Sequence, residues 1–292
     1  MYLVEHAGLL KGKDRSSQRE EHTGQDQERR VSSYPRICQP APGGYIRTTF
    51  GGMGWFKHWF GTRYYSLLYG HRDQDDAAAW VNTILEQWSL PSGARVHDLA
   101  CGRGRHARFF ADAGCDVTGT DISEASIEEA RRSVPKATFA VRDMREPIHA
   151  DKFHGACCLF TSLGYFQELS DDRKVFRAVA DSLVPGGRFV VDFMNTELVL
   201  RDLVPEETLE VEGITFHITR ELQNGVLVKR ILVLDGHVEH RFEERVQALT
   251  PSQLQDLAVE AGFNVDAITD GPDPTPFNPQ HSQRFVLWMT LK

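Results

Sequence analysis

The sequence contains few cysteines, and their spacing does not suit a metal site. The five thiols are an odd number, and no C-x-x-C pair or Cys/His ligand pattern occurs among them. Neither a disulfide framework nor a zinc site is therefore expected, and we interpret the cysteines as reduced thiols of a cytoplasmic protein. His237 and His240 are three residues apart in a strand-like run, so their side chains face opposite sides and are not expected to share a metal ion.

Basic residues and long apolar runs are also scarce. Lys and Arg number 33 against 41 Asp and Glu, which gives a net charge of −8, and no basic cluster occurs outside the N-terminal extension. A dedicated nucleic-acid binder is therefore disfavoured, and a cationic or neutral small molecule fits better. No apolar run approaches the ~18 residues of a membrane span, and residues 1–10 lack the regions of a signal peptide, so we expect neither membrane insertion nor secretion.

Residues 1–52 differ in composition from the rest of the chain. Residues 11–33 are almost continuously polar or charged, and residues 35–52 are rich in Pro and Gly without any periodicity. This composition predicts a disordered, dispensable extension followed by a functional domain at 53–292. At the start of that domain, residues 53–90 carry aromatic side chains at helical spacings, which predicts two N-terminal helices.

The stretch from Val96 to Ser123 is the one around which the domain is organised. An apolar run ends in Asp98-Leu-Ala-Cys-Gly-Arg-Gly, an apolar helical pattern follows, and a second apolar run ends in Asp121. Gly102 and Gly104 permit a tight turn and a close approach of the backbone to a ligand, and the following helix points free N–H groups into the same space. Because a carboxylate at the end of the second strand accepts hydrogen bonds from ribose hydroxyls, the stretch predicts a nucleoside site.

Two kinds of cofactor are compatible with this stretch. Residues 102–107 match the G-x-G-x-x-A pattern of dinucleotide-binding folds, which keeps an NAD(P)-dependent oxidoreductase as an alternative. However, Asp98 lies four residues before the first glycine, where dinucleotide folds usually keep an apolar residue. A carboxylate directed into the loop suits a cationic ligand better than a pyrophosphate.

The stretch resembles motif I of the class I S-adenosylmethionine-dependent methyltransferases. The pattern D/E-x-G-x-G-x-G is matched from Asp98 to Gly104, with Ala100 in the place of the first glycine. The resemblance implies that the loop holds the methionine part of the cofactor, that Asp121 binds the ribose, that Asp143 binds the adenine amino group and that Phe160 packs on the adenine ring. The cofactor-binding residues expected on this basis are Tyr69, Arg72, Asp98, Ala100, Cys101, Gly102, Gly104, Asp121, Ile122, Asp143, Met144, Phe160 and Thr161.

The N-terminal helices are a second region where the resemblance implies site residues. Similar Tyr-rich helices precede the core domain in several small-molecule methyltransferases, where they close over the cofactor. A tyrosine face suits a sulfonium through cation–π attraction, and a guanidinium suits a carboxylate. Tyr69 and Arg72 are therefore expected at the site.

The segment FTSLGYF at 160–166 follows the predicted fourth strand, where a methyl acceptor would bind. The N/D-P-P-Y motif of enzymes that methylate amino groups of nucleic-acid bases is absent, and so is the Pro-Cys motif of the cytosine C5 enzymes. The segment instead resembles that of bacterial methyltransferases with small or unassigned substrates. Methyl transfer depends on alignment and water exclusion, and a general base is needed only when the acceptor arrives protonated. The candidates for such a catalytic group are His106, Tyr165 and Asp192.

From residue 207 onward the pattern changes to strict alternation, with Asn224-Gly225 and Asp235-Gly236 as hairpin turns. This pattern predicts three or four antiparallel strands inserted at 204–248, either as a lid over the acceptor or as a dimerisation ribbon of a homodimer. The expected fold is a doubly wound, Rossmann-like α/β sheet of seven strands with an inserted antiparallel β lid. The resemblance implies the strand order 3-2-1-4-5-7-6 for this sheet.

The sequence thus predicts an enzyme that transfers a methyl group from S-adenosylmethionine to a nitrogen or oxygen of a small molecule. Two alternatives stay open. An oxidoreductase would bind NADH in place of S-adenosylmethionine. A non-catalytic cofactor-binding module would have an occluded or missing cavity beside Tyr165.

Overall fold

The computed structural model describes residues 48–49, 59–69, 74–148 and 152–292, and the strands form two sheets. The strands are β1 (Thr48–Thr49), β2 (Arg95–Leu99), β3 (Asp116–Asp121), β4 (Thr138–Val141), β5 (Phe153–Cys158), β6 (Leu183–Met194), β7 (Glu206–Val211), β8 (Ile214–Gln223), β9 (Val226–Asp235), β10 (Val238–Gln247), β11 (Phe263–Thr269) and β12 (Arg284–Leu291). The helices are α1 (Arg63–Tyr69), α2 (Gln74–Trp88), α3 (Arg105–Asp112), α4 (Glu124–Ser133), α5 (Leu169–Ser182), α6 (Thr196–Arg201) and α7 (Pro251–Glu260).

The larger sheet has seven strands in the order β11-β12-β6-β5-β2-β3-β4. β2 is parallel to both of its neighbours, β3 and β5, whereas β12 runs antiparallel to β6 and β11. Counted along the core strands this is the order 3-2-1-4-5-7-6, so the predicted fold is confirmed. The strand order reverses between β2 and β5, which opens a crevice at their carboxyl ends where ligands bind in such sheets.

Helix α2 covers one face of the larger sheet because its apolar side chains recur at helical spacing. Its buried residues include Trp80, Ile84 and Trp88. Trp88 lies directly over Gly155 of β5, where an added Cβ would stand 2.5 Å from the indole ring. The absence of a side chain at Gly155 therefore lets the helix approach the sheet closely.

The segment before the predicted fifth strand differs from its prediction. The pattern Leu183-Val-Pro-Gly-Gly predicts a turn and then a strand at 188–193. In the structure β6 begins already at Leu183, and its pairing with β5 jumps from Leu183 opposite Phe153 to Arg188 opposite Gly155. The residues between them form an irregularity inside the strand, which Gly186 permits with a φ of 73°.

The smaller sheet contains the predicted antiparallel strands, β7 to β10, and lies between α6 and α7 in the chain. The β8–β9 hairpin turns at Asn224 and Gly225, whose φ angles of 50° and 76° are those of the tight turn expected there. β1 joins the edge of this sheet as a parallel neighbour of β10. The rest of the predicted extension at 1–52 lies outside the described residues, and its disorder stays a prediction.

One face of the smaller sheet packs against α1 and against Trp59 and Phe60, which precede that helix. Phe216, Ile218 and Ile231 of the sheet form a buried cluster with Trp59 and Leu68. We call this face the inner face of the smaller sheet. Within the described ranges, no helix is long and apolar enough to cross a membrane.

Candidate functional site

A cavity of about 500 Å³ lies where the crevice of the larger sheet meets the smaller sheet. Its walls come from the carboxyl ends of the larger-sheet strands, from α1 and from β10. A cavity of this size is typical of sites for small molecules and cofactors. The sequence-predicted residues that line it are Tyr69, Asp98, Ala100, Cys101, Gly102, Gly104, His106, Asp121, Ile122, Asp143, Met144, Phe160, Thr161 and Tyr165.

Two of the predicted site residues are not among those that line the cavity. Arg72 lies outside the described residues, so its predicted contact with the cofactor stays a prediction. Asp192 is 1% exposed and lies behind the cavity wall. The structure therefore does not bring the Asp192 carboxylate to a place where it contacts an acceptor.

The glycine loop is a tight turn built from left-handed backbone. Ala100, Gly102 and Gly104 have φ angles of 52°, 54° and 79°. An added Cβ on Gly104 would stand 3.0 Å from Cζ of Phe139, so a larger residue would require this ring to shift and would also be strained by the positive φ. Ala100 occupies the place where the family pattern has glycine. Its left-handed backbone conformation costs about 1–2 kcal/mol for an alanine and less for a glycine.

Asp98 is the penultimate residue of β2, and it lines the cavity. It is 2% exposed, and its Oδ1 accepts a hydrogen bond from Sγ of Cys157 at 3.6 Å. Its Oδ2 is buried and has no hydrogen-bond partner among the described residues. Burial raises the pKa of the Asp98 carboxyl from its ordinary 3.8 to about 7. A buried acceptor without a partner costs free energy, so this atom is placed for a ligand that donates a hydrogen bond or carries positive charge.

Asp121 ends β3 and faces the same loop. Its Oδ2 accepts a hydrogen bond from the N–H of Gly102 at 2.9 Å, and its Oδ1 accepts one from the N–H of Ser123 at 2.8 Å. Burial raises the pKa of the Asp121 carboxyl. Each carboxylate oxygen can accept a further hydrogen bond, so a carboxylate held in this way can bind two vicinal hydroxyls.

Asp143 follows β4 and is paired with the side chain of Arg145. Nε of Arg145 donates to Oδ1 of Asp143 at 3.0 Å, and Nη2 donates to Oδ2 at 2.5 Å. Asp143 and Met144 nevertheless line the cavity, at the end away from the smaller sheet. The predicted contact of the Asp143 carboxylate with an adenine amino group has to coexist with this ion pair, and it stays a prediction.

Phe160 forms a flat apolar wall beside the loop. Its ring stacks on the His106 ring with centroids 5.0 Å apart and an interplanar angle of 27°, and the Arg105 guanidinium carbon lies 4.5 Å from its centroid. The predicted packing of an adenine on this ring has to coexist with these two contacts, and it stays a prediction. His106 is buried at the first turn of α3, and a role for it as a general base stays a prediction.

Phe160 and Thr161 are held by a buried ion pair. Both residues have positive φ angles, 59° and 56°, which are unfavourable for side chains of this size. The N–H of Phe160 donates to Oδ2 of Asp192 at 2.7 Å, and Arg284 of β12 binds both carboxylate oxygens of Asp192 at 2.7 Å. Nη2 of Arg284 also donates to Oγ1 of Thr161 at 3.1 Å. Asp192 thus fixes the backbone of the cavity wall.

The side of the cavity formed by the smaller sheet contains residues that the sequence did not single out. Glu244 and Val246 of β10 line it, together with the predicted Tyr69 and Tyr165. Glu244 is 8% exposed and accepts hydrogen bonds from Nε1 of Trp59 at 2.5 Å and from the Tyr69 hydroxyl at 2.8 Å. The sequence signal for Glu244 was a charged residue at a position where the alternation of the strand calls for an apolar one.

A model of the family described as "Methyltransferase domain" matches residues 96–187. This range contains the glycine loop, Asp121, Asp143 and the segment at 160–166. The match therefore covers the cofactor end of the cavity and stops before the smaller sheet.

Relatives of known activity match over a longer range. The chain is 32% identical over 218 residues to a dTDP-3-amino-3,4,6-trideoxy-alpha-D-glucopyranose N,N-dimethyltransferase of Streptomyces venezuelae, covering 71% of this chain and 92% of the relative. It is 28% identical over 210 residues to a dTDP-3-amino-3,6-dideoxy-alpha-D-glucopyranose N,N-dimethyltransferase of Streptomyces fradiae, covering 69% and 80%. Among solved structures, the sugar N-methyltransferase KedS8 of Streptoalloteichus sp ATCC 53650 has the same fold, with a TM-score of 0.66, 20% identity and coverage of 87% and 99%.

Proposed function

Because the chain belongs to the class I S-adenosylmethionine-dependent methyltransferases and acts on a small molecule, we propose that its acceptor is the amino group of a sugar-like molecule. The observation that carries this proposal is the buried carboxylate of Glu244, which lines the cavity from the smaller sheet. A carboxylate accepts hydrogen bonds and so suits a donor such as an amine. The two relatives named above, which methylate amino sugars, support the same class of acceptor.

The described residues fit S-adenosylmethionine as the methyl donor. The buried Oδ2 of Asp98 has no partner in the described ranges and suits the ammonium group of the methionine part. The loop leaves open space for a close backbone approach at Gly102, and Asp121 would hold the ribose hydroxyls. Phe160 would pack on the adenine. When bound, this cofactor supplies a methyl group on a sulfonium, which is a leaving group that needs no further activation.

The chain contributes mainly by holding acceptor and donor in one water-poor cavity. Tyr165 lines the cavity, and the centroid of its ring lies 5.6 Å from that of Phe60. Tyr65 and Tyr69 continue this aromatic wall toward β10, with centroids 4.9 Å apart. Rigid aromatic walls fix the approach of the two molecules, and correct alignment contributes up to several kcal/mol to lowering the barrier.

The smaller sheet acts in this proposal as a lid over the acceptor. Glu244 and Val246 place one of its strands directly in the cavity wall, which a ribbon used only for dimerisation does not require. The open cavity beside Tyr165 speaks against a non-catalytic module, which predicted an occluded one. The net charge of −8 favours a small acceptor over a nucleic acid.

A methylation assay with matched acceptors tests the proposal. The full chain is incubated with S-adenosylmethionine and either dTDP-3-amino-3,6-dideoxy-alpha-D-glucopyranose or the same nucleotide sugar with a hydroxyl in place of the amine. We expect the amine, and not the hydroxyl compound, to gain the mass of one or two methyl groups. Methylation of the hydroxyl compound alone would overturn the assignment of the acceptor. So would the absence of methylation of every member of a panel of amino sugars.

The variant Asp121→Ala tests the cofactor end separately. Calorimetry with S-adenosylmethionine and with its demethylated product should show binding to the wild type that weakens by about 1–3 kcal/mol in the variant, because the ribose hydrogen bonds are lost. NADH serves as the negative control. Unchanged affinity in Asp121→Ala would show that the ribose does not bind at this carboxylate.

A further inference from the structure

The inner face of the smaller sheet carries a row of four charged side chains across four neighbouring strands. Arg220 of β8 lies opposite Lys229 of β9, which in turn lies opposite Glu244 of β10. Nη2 of Arg220 donates to Oε2 of Glu207 of β7 at 2.6 Å. The row therefore reads acid, base, base, acid, and its charges sum to zero. Glu244 is the end of the row that reaches the cavity.

This row is unexpected because the other fully buried residues of the inner face are apolar. Arg220, Lys229 and Glu244 are 5%, 2% and 8% exposed. Burying a charge costs several kcal/mol even when it is paired, and apolar residues at such positions are often as stable or more so. Stability of the fold therefore does not account for the row, and a function at its cavity end does.

Tyr69 of α1 joins the two charges at that end. Its hydroxyl accepts a hydrogen bond from Nζ of Lys229 at 2.5 Å and donates to Oε1 of Glu244 at 2.8 Å. Nζ of Lys229 lies 3.8 Å from Oε2 of Glu244, and Nε1 of Trp59 donates to Oε1. We call Trp59, Tyr69, Lys229 and Glu244 the Glu244 cluster. Tyr69 and Glu244 line the cavity, whereas Lys229 lies behind them.

We propose that the Glu244 cluster is the binding site of the acceptor amine and that it binds this amine as the neutral free base. This inference rests on the proposed function. The Glu244 carboxylate is already balanced by Lys229, so an ammonium ion would add an unbalanced positive charge in a buried place that also receives a sulfonium. A neutral amine can instead donate an N–H to Glu244 and keep its lone pair for the methyl group.

The proton and electron balance is complete in this scheme. An amine that is protonated in solution releases its proton to bulk water on binding. Its lone pair then forms the bond to the methyl carbon, the carbon–sulfur bond breaks, and that electron pair stays on sulfur. The product leaves as a methylammonium ion, or as the amine after a proton passes to water. No side chain has to change its protonation state.

Other ionisable groups surround the cluster and act equally in the wild type and in single variants. In the described part of the chain they include Tyr64 and Tyr65 on α1, Glu207 on β7, Arg220 on β8, His240 on β10 and, in the lining of the same cavity, Asp98, Arg105, His106, Asp121, Arg142, Asp143 and Tyr165. Because their contribution is shared, a difference between two variants isolates the charge that was removed.

Proton release on binding is the direct test. The amino sugar nucleotide named above is titrated into the full chain with S-adenosylhomocysteine present, in two buffers of different ionisation enthalpy, at a pH below the pKa of the free amine. We expect the wild type to release about one proton per amine bound. Binding without proton release, combined with methylation of the amine, would overturn this inference and leave the proposed function intact. Absence of both binding and methylation would overturn the proposed function itself.

Two single variants are expected to move the pH dependence of kcat in opposite directions. Lys229→Met leaves Glu244 unbalanced, which stabilises the ammonium form, so proton release falls and the rising limb of the profile moves up by about one pH unit or more. Glu244→Gln removes the negative charge that lies 3.8 Å from Nζ of Lys229, so the limb moves down and the affinity for the amine falls about tenfold or more. A purely structural role does not produce opposite signs.

Matched controls complete the experiment. Arg230→Met removes a cation from the same strand as Lys229, but on the exposed side, and should change neither proton release nor the profile. Tyr69→Phe keeps both charges and should retain proton release with weaker amine binding. If Lys229→Met fails to fold, the wild type and Tyr69→Phe still decide the matter, because loss of proton release in Tyr69→Phe contradicts a charge-based mechanism.

Discussion

The substitution Asp98→Asn separates the charge of this buried carboxyl from its shape. Asp98 is 2% exposed, and burial raises its pKa from 3.8 to about 7. Because the pKa in the folded chain lies above its ordinary value, the fold is favoured by the protonated carboxyl. This contribution is complete below about pH 4 and is lost as the pH rises through about 7. The free energy of unfolding of the ligand-free protein should therefore fall over this pH range, because Asp98 ionises in a buried position.

The magnitude follows from the pKa shift. A rise from 3.8 to about 7 corresponds to about 4 kcal/mol at pH 8, at 1.36 kcal/mol for each unit of pKa. About 2–3 kcal/mol of this loss falls between pH 5 and pH 8. Asparagine has nearly the same shape and no charge, so its stability curve should lack this loss. The difference in unfolding free energy, Asp98→Asn minus wild type, should therefore increase by about 2–3 kcal/mol from pH 5 to pH 8.

Urea denaturation at the two pH values measures this difference directly. Asp112→Asn is the matched control, because Asp112 ends α3 with a side chain that is 53% exposed and should show no such trend. A constant offset between Asp98→Asn and the wild type reflects packing and hydrogen bonds alone. Parallel curves for the two proteins would refute the argument that burial of this carboxyl disfavours its charge.

The affinity for the cofactor should change with pH in the opposite direction to the stability of the ligand-free protein. S-adenosylhomocysteine keeps the ammonium group, so its affinity for the wild type should rise from pH 5 to pH 8 as Asp98 ionises. In Asp98→Asn the affinity should be weaker by about 1.5–3 kcal/mol at pH 8, roughly 10- to 150-fold, and should rise less steeply with pH than in the wild type. Equal affinities at pH 8 would show that the ammonium group binds elsewhere.

Two further substitutions test the packing that supports the site. Arg284→Met leaves Asp192 as an unpaired buried charge, so urea denaturation should show a loss of about 3–5 kcal/mol, and adding Asp192→Asn should restore much of it; a loss below 1 kcal/mol would contradict this. Gly119→Ala adds a Cβ 2.6 Å from the Phe139 ring and 2.9 Å from Sγ of Cys101, so thermal unfolding should show about 1–3 kcal/mol of destabilisation. An unchanged melting temperature would mean that β3 and β4 shift apart without cost.

The cofactor half of the site could be predicted because its signals are local in the sequence. The loop from Asp98 to Gly104 and the acid at Asp121 lie within a single strand–helix–strand unit, and each residue has a chemical reason that does not depend on the rest of the fold. The structure places all of them at one cavity. The strand order followed from the family that the loop resembles, and not from the pattern of the strands alone.

The role of Asp192 could not be predicted in the same way. Its position at the end of a strand indicates the carboxyl edge of the sheet, where acids often contact ligands. What decides its role is Arg284, which lies 92 residues later and reaches Asp192 only because β12 is inserted beside β6. The pairing turns a candidate for acceptor binding into the support of Phe160 and Thr161. Sequence spacing carries no information about such a pair until the strand order is known.

The acceptor half depends entirely on contacts of this kind. Tyr69 and Glu244 are 175 residues apart, and Gly164 of the acceptor segment is joined to β10 through Asp172, whose carboxylate accepts hydrogen bonds from the Gly164 N–H at 2.9 Å and from Nε2 of Gln247 at 2.7 Å. Because Gln247 lies on the same strand as Glu244, these hydrogen bonds fix the position of β10 relative to the segment at 160–166. If the proposed function is correct, substitutions on the smaller sheet are expected to change the acceptor without disturbing the glycine loop. In the proposed function, the charge row from Glu207 to Glu244 is explained by the acceptor that binds at its cavity end.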